Sequence, residues 1–154
     1  MKTRTAVLSF ALCFAGVTMC FAGNPNMGTW KLNEAKSKLG SGGAKNTMVM
    51  YEAAGDSIKV TVEGVDNDGK PTHNEGTGKF DGKAYPITGD PTADMRSYKQ
   101  VNARTLMFTN TMGGKVTLTG RIMVSADGKS RTVTTHAKDA KGKAVSVTAV
   151  YDKQ

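Results

Sequence analysis

Cysteine is almost missing from this 154-residue chain: there are two, Cys13 and Cys20, both within the first 22 residues. Once that stretch is removed the protein has no thiol, hence no disulfide, no thiolate metal site and no cysteine nucleophile. Histidine is equally scarce. His73 and His136 lie far apart in the chain, without metal-ligand spacing, and neither sits in a Ser-His-Asp context or near a Gly-x-Ser-x-Gly elbow. No apolar run is long enough to cross a bilayer as a helix, and no long helical periodicity occurs. The glycine-rich stretch Leu39 to Lys45 (LGSGGAK) lacks the adjacent Gly-Lys-Ser/Thr of a phosphate-binding loop. These absences lead us to expect no enzyme, no metal and no cofactor.

What is present begins with a targeting signal. Lys2 and Arg4 form a basic start, Ala6 to Val17 is apolar, and Cys20-Phe21-Ala22 offers a small-residue cleavage site. Cleavage after Ala22 gives residues 1–22 as a signal peptide and 23–154 as one domain, long enough for one sizeable core. The residue before a lipidated cysteine is normally small, and Met19 is not, which argues against an anchor at Cys20. A periplasmic or secreted location follows.

The whole chain carries +8, and loss of Lys2 and Arg4 leaves +6. Such a charge can attract nucleic acid or an anionic envelope surface. Gly-Lys recurs, however, at Gly69-Lys70, Gly78-Lys79, Gly82-Lys83, Gly114-Lys115, Gly128-Lys129 and Gly142-Lys143. Lysines spread over turns describe a solvated rim with weak anionic contacts, and argue against a nucleic-acid partner.

The remaining pattern is strand, turn, strand. Thr29 to Asn33 is the first strand, followed by an Asn33-capped helical turn. Ile58, Val60 and Val62 alternate with Lys59, Thr61 and Glu63, and Val116, Leu118, Ile122 and Val124 alternate with polar neighbours. Pro86 marks an edge or a bulge. Turn signals every 8 to 14 residues or so predict an antiparallel up-and-down meander of about eight to ten strands, closed into a barrel to remove its edges.

Two motifs carry a resemblance. Gly28-Thr29-Trp30-Lys31-Leu32 resembles the Gly-x-Trp first strand of the calycins, the superfamily of lipocalins and fatty-acid-binding proteins. Val147-Thr148-Ala149-Val150-Tyr151-Asp152-Lys153 is similar to the closing strand of a fatty-acid-binding protein. The resemblance implies a calycin barrel, most like a bacterial lipocalin-like protein, with Trp30 packed across one barrel end. It also implies a carboxylate-holding Arg-x-Tyr, but here the residues are Ala149-Val150-Tyr151, so the tyrosine stays and the arginine is replaced. Arg121 is the nearest candidate for a second inward arginine, although it lies opposite the apolar face of Leu118 and Ile122. The two-helix lid of fatty-acid-binding proteins has no room between Asn33 and Asn46.

Other candidate chemistry reads as structure. Asp66, Asp68, Gly69 and Glu75 have part of a calcium-loop spacing, yet the first ligand would fall on Gly64; a hairpin turn explains them. Met48, Met50, Met95, Met107, Met112 and Met123 are scattered, unlike a copper(I) site, and suit flexible packing. The expected function is binding of a small apolar or amphipathic molecule inside a monomeric barrel. Tyr51, Tyr98, Phe108, Arg121, Met123 and Tyr151 are its expected ligand contacts, with Met48 or Val49 adding to the wall. The alternative is an envelope interaction module that docks a protein or anionic partner through its lysine-rich outer loops. A small enzyme or enzyme inhibitor on the same fold is the third reading.

Overall fold

Aspartates set the chain's reversals. Asp66 Oδ1 accepts the amides of Asp68 and Lys70 at 2.9 Å. Asp127 Oδ1 takes that of Lys129 at 3.0 Å, and Asp139 Oδ1 those of Lys141 and Lys143 at 2.9 Å. The glycines in these turns hold φ of 77° (Gly69), 70° (Gly128) and 78° (Gly142), a region that side chains disfavour. The Asp66 stretch is therefore a hairpin turn, and Gly-Lys marks turns at Gly69, Gly114, Gly128 and Gly142, while Gly78 ends a strand and Gly82 lies within the next one.

The computed structural model describes residues 23–40, 42–139 and 141–154; the expected signal peptide lies outside them. Between the turns run ten strands: β1 (Gly28–Leu32), β2 (Lys45–Ala54), β3 (Ser57–Val65), β4 (Pro71–Gly78) and β5 (Asp81–Thr88), then β6 (Met95–Asn102), β7 (Thr105–Met112), β8 (Lys115–Val124), β9 (Ser130–Lys138) and β10 (Ala144–Lys153). Each pairs antiparallel with the next, and β10 returns to β1 through Trp30↔Lys153 and Leu32↔Tyr151 to close the barrel. A single turn of 3-10 helix (Glu34–Lys36) follows β1, with the Asn33 side chain accepting the Lys36 amide at 3.2 Å. The architecture is the closed up-and-down β-barrel that the turn spacing predicts.

Strand alternation decides what lies inside. Trp30 and Leu106 are fully buried, and Val49, Tyr51, Ile58, Val60, Val62, Ile122, Val124, Ala149 and Tyr151 join them. The Trp30 indole N–H donates to the Asn26 carbonyl at 3.0 Å, so the lead-in before β1 closes this end. Truncating Trp30 to alanine would cost about 3–5 kcal/mol. Val116 departs from the alternation: it is 62% exposed, because the β7–β8 register shifts at Asn110/Thr111 and turns it outward.

On β8 to β10 burial along the inward face falls from one end to the other, whereas on β6 it runs the other way, from exposed Gln100 to buried Arg96. On β10 it runs from buried Tyr151 and Ala149, through half-buried Val147, to Val145 at 38% exposure. On β8 it runs from buried Val124, Ile122 and Gly120 to half-buried Leu118. The base, where the two chain ends of the barrel meet, is packed with aromatic rings. The opposite end is a mouth, partly covered by the β1–β2 connection, where Leu39 packs on the core.

One seam is thin. β4 and β5 share only Glu75↔Thr88 and Gly76↔Ile87, whereas β3 and β4 share eight register positions. Pro86 supplies a reason. The Ile87 amide bonds to Asp94 on the β6 side at 2.9 Å, so residue 86 would offer its amide to β4, and proline has none.

Candidate ligand site in the barrel interior

Four aromatic rings cross the middle of the barrel. Tyr51 from β2 meets Phe80 at 6.2 Å and Tyr98 at 6.0 Å between centroids, both edge to face. Phe80 meets Tyr98 at 5.6 Å, and Tyr98 meets Phe108 at 5.8 Å. Tyr98 and Phe108 are cross-strand partners, in a spacing that favours aromatic contact. Phe108 stands over Gly120, its partner on β8; a Cβ there would overlap the ring. Burial, and then the neighbouring Tyr98 hydroxyl, push the Tyr51 pKa far above its ordinary value of 10.0. Burial likewise raises Tyr151, with Arg131 pulling the other way.

Below the rings, at the base, sits an arginine with aromatic faces around it. The Arg131 guanidinium lies 4.8 Å from the Trp30 ring, 4.9 Å from Tyr51 and 5.1 Å from Tyr151. It is 2% exposed, and its Nε and Nη1 have no hydrogen-bond partner among the described residues. Cation–π attraction in a desolvated setting is what holds it.

Above the rings, toward the mouth, lies a second inward arginine. Arg96 Nε donates to Asn110 Oδ1 at 2.7 Å and Nη1 to Asn74 Oδ1 at 3.4 Å. Its Nη2 pairs with Asp90 Oδ2 at 3.2 Å, with both side chains largely buried. This places a polar layer on the β4–β7 side of the mouth, next to an apolar stretch that begins with Leu118, the direct partner of Asn110, and continues with Ala137 and Val147. Between Arg96 and the rings remains a void of about 20 Å³ beside Ile58, Val60, Gly76, Tyr85 and Ile87, room for about one water. Anything larger at this place would require movement of Tyr85 at the thin seam. Tyr85 rests there against Gly78, where a Cβ would come within 2.6 Å of its ring. A larger opening, of about 530 Å³, lies at the base end, bordered by Thr105, Arg121, Val124 and Arg131.

The structure gathers Tyr51, Tyr98, Phe108 and Tyr151 inside the barrel with Val49, and puts Trp30 at the base. Two expected contacts lie elsewhere. Arg121 and Met123 are on the outer face of β8, exposed, with Met123 at 48%. Strand alternation forces this, because Gly120, Ile122 and Val124 take the inward positions. Met48 also faces outward, since Val49 takes the inward place. The inward arginines are Arg96 and Arg131, which a reading that sends charge to solvent passes over. Their parity was the available signal: Arg96 shares a face with Tyr98, and Arg131 with Val133 and Ala137.

No family model matches the chain, and no curated protein matches it. Among solved structures, one chain described as EF1p2_mFAP2b bound to DFHBI is 15% identical, with 84% of this chain and 94% of that one covered, at a TM-score of 0.47. A redesigned beta barrel, b11L5F_LGL, is 14% identical over 89% of this chain and 98% of the other, at a TM-score of 0.48. Those likenesses go no further than barrel architecture. The closed ten-strand fold rests on this chain's own pairing.

Proposed function

We propose that the protein is an exported, monomeric, lipocalin-like binding protein that holds a small apolar or amphipathic ligand in the mouth-side interior of its barrel, without turning it over. The observation that carries this reading is the burial gradient. On β8–β10 an aromatic-packed base gives way to a half-buried apolar wall, and buried Arg96 and Asn110 on the neighbouring strands supply polar groups beside it. Binding sites of this kind join apolar walls to a few polar groups that orient the ligand. In the funnel that these line, a chain would lie against Leu118, Val147 and Phe108, with its polar end toward Asn110, Asn74 and the Tyr98 hydroxyl. The end motifs GTWKL and VTAVYDK support the lipocalin-like reading, and the basic and apolar start of the chain supports export.

Native mass spectrometry of the gently purified protein tests the proposal. A co-purifying mass that extracts into organic solvent, and whose uptake weakens when Phe108→Ala or Leu118→Asp is introduced, is the expected result. A clean unliganded mass, together with no binding of medium-chain carboxylates, alcohols or esters, would overturn it.

A further inference from the structure

The outer wall of the barrel is electrostatically lopsided. From Met95 to Lys138, which spans β6 to β9, the only acid is Asp127, and it sits in the β8–β9 turn. On the opposite wall, charges cancel locally, as where Lys59 pairs with Glu75 at 2.7 Å across β3 and β4. On the acid-free wall, strand register lines up Lys99, Met107 and Arg121 as direct cross-strand neighbours on the outer face. Arg104 lies beside them in the β6–β7 turn. None of these three cations takes part in an ion pair among the described residues.

Apolar side chains are interleaved with them. Val101 is 55% exposed, Met123 48% and Met107 41%. Arg104, Arg121 and Met123 border one open pocket at the base end of this wall. Exposed apolar groups clustered with cations are what an anionic bilayer surface accommodates: the charges meet phosphates while the methionines enter the interfacial zone. Single-stranded nucleic acid fits less well, because the aromatics that would stack on bases (Tyr98 and Phe108) point inward.

We propose that the outer face of β6–β8 docks the protein on an anionic phospholipid bilayer, with Lys99, Arg104 and Arg121 facing the headgroup phosphates and Val101, Met107 and Met123 seated among them. The surface is separate from the interior site, and a barrel that carried nothing could still dock.

Co-sedimentation of the purified protein with phosphatidylglycerol-containing vesicles, against pure phosphatidylcholine, tests this. The protein is expected to pellet with the anionic vesicles only, and progressively less as salt rises. Lys99→Gln with Arg121→Gln should weaken the partition about 30-fold, from the contribution of two cations near an anionic surface. Met107→Ser with Met123→Ser should weaken it at unchanged charge. Lys70→Gln with Lys143→Gln, in turns elsewhere, should leave it unaltered. All of these positions are exposed, and circular dichroism checks each variant's fold. The proposal is overturned by absence of pelleting at low salt, or by equal losses in the two charge variants. It is also overturned if the methionine variant partitions normally while single-stranded DNA binds with the same dependence on Lys99 and Arg121, which would make the wall a general polyanion surface.

Discussion

Two replacements of Arg131 separate what its bulk does from what its charge does. The side chain is 2% exposed, its guanidinium faces three rings at 4.8, 4.9 and 5.1 Å, and two of its nitrogens have no partner among the described residues. Arg131→Ala empties the aromatic-packed base and should cost roughly 3–4 kcal/mol, as other large-to-small core changes do. Arg131→Met keeps most of the volume and removes the cation. The lost cation–π attraction is worth up to about 2 kcal/mol per ring. Against that, each buried N–H without a partner costs about 1–3 kcal/mol, and desolvating the cation costs more. The two sides nearly cancel, so Arg131→Met should lie within about 1.5 kcal/mol of the parent. At about 3–5 °C per kcal/mol for a domain of this size, the alanine variant should melt some 10–15 °C lower and the methionine variant within about 6 °C. Thermal unfolding followed by circular dichroism and Trp30 fluorescence measures both. Equal losses in the two variants would refute the reasoning, and would mean that the guanidinium is held by something stronger than three ring faces.

Other expectations follow the same geometry. Gly120→Val drives a side chain into the Phe108 ring; it should cost about 1–3 kcal/mol by chemical denaturation and reduce uptake of an interior ligand. Asp90→Ala strips Arg96 of its carboxylate and should destabilise by about 2–4 kcal/mol, less than a fully orphaned charge because Asn110 and Asn74 remain. Adding Arg96→Leu should recover much of that loss in a double-mutant cycle. Tyr51 and Tyr151 both have folded pKa values above their ordinary 10.0, so their contribution to stability is whole below pH 10 and fades as pH rises above it, where the unfolded chain ionises first. Ultraviolet titration should therefore find phenols that resist ionisation until the barrel unfolds; complete ionisation in a still-folded protein would contradict their burial.

Much of the fold could be read from turn chemistry. Most Asp-Gly and Gly-Lys sites fall where the chain reverses, Pro86 lies at the thin seam, and Asn33 caps its helical turn. Ile58, Val60 and Val62 declare their inward face because their alternation is unbroken. The site was less legible. In β6 and β7 both faces mix polar with apolar side chains, so the parity that Arg96 shares with Tyr98, and Asn110 with Phe108, was a weak sign of being inside. Arg131 looked like a surface cation until three rings from β1, β2 and β10 closed around it, a grouping that only the barrel brings together. Met123 and Arg121 were drawn toward the site by composition and by resemblance, while the parity of Gly120, Ile122 and Val124 had already assigned them to the outside. Val116 was misplaced by a bulge, and single-residue insertions of that kind leave little trace in the sequence.

One NMR titration tests whether ligand enters the barrel. Dodecanoate is added to labelled protein while backbone amides and methionine methyls are followed. Saturable shifts are expected at Phe108, Asn110, Leu118, Ala137 and Val147 around the funnel, with the outward Met107 and Met123 methyls unmoved. Shifts confined to those outer methyls, or none anywhere, would contradict ligand entry and leave the barrel as a scaffold for its outer wall.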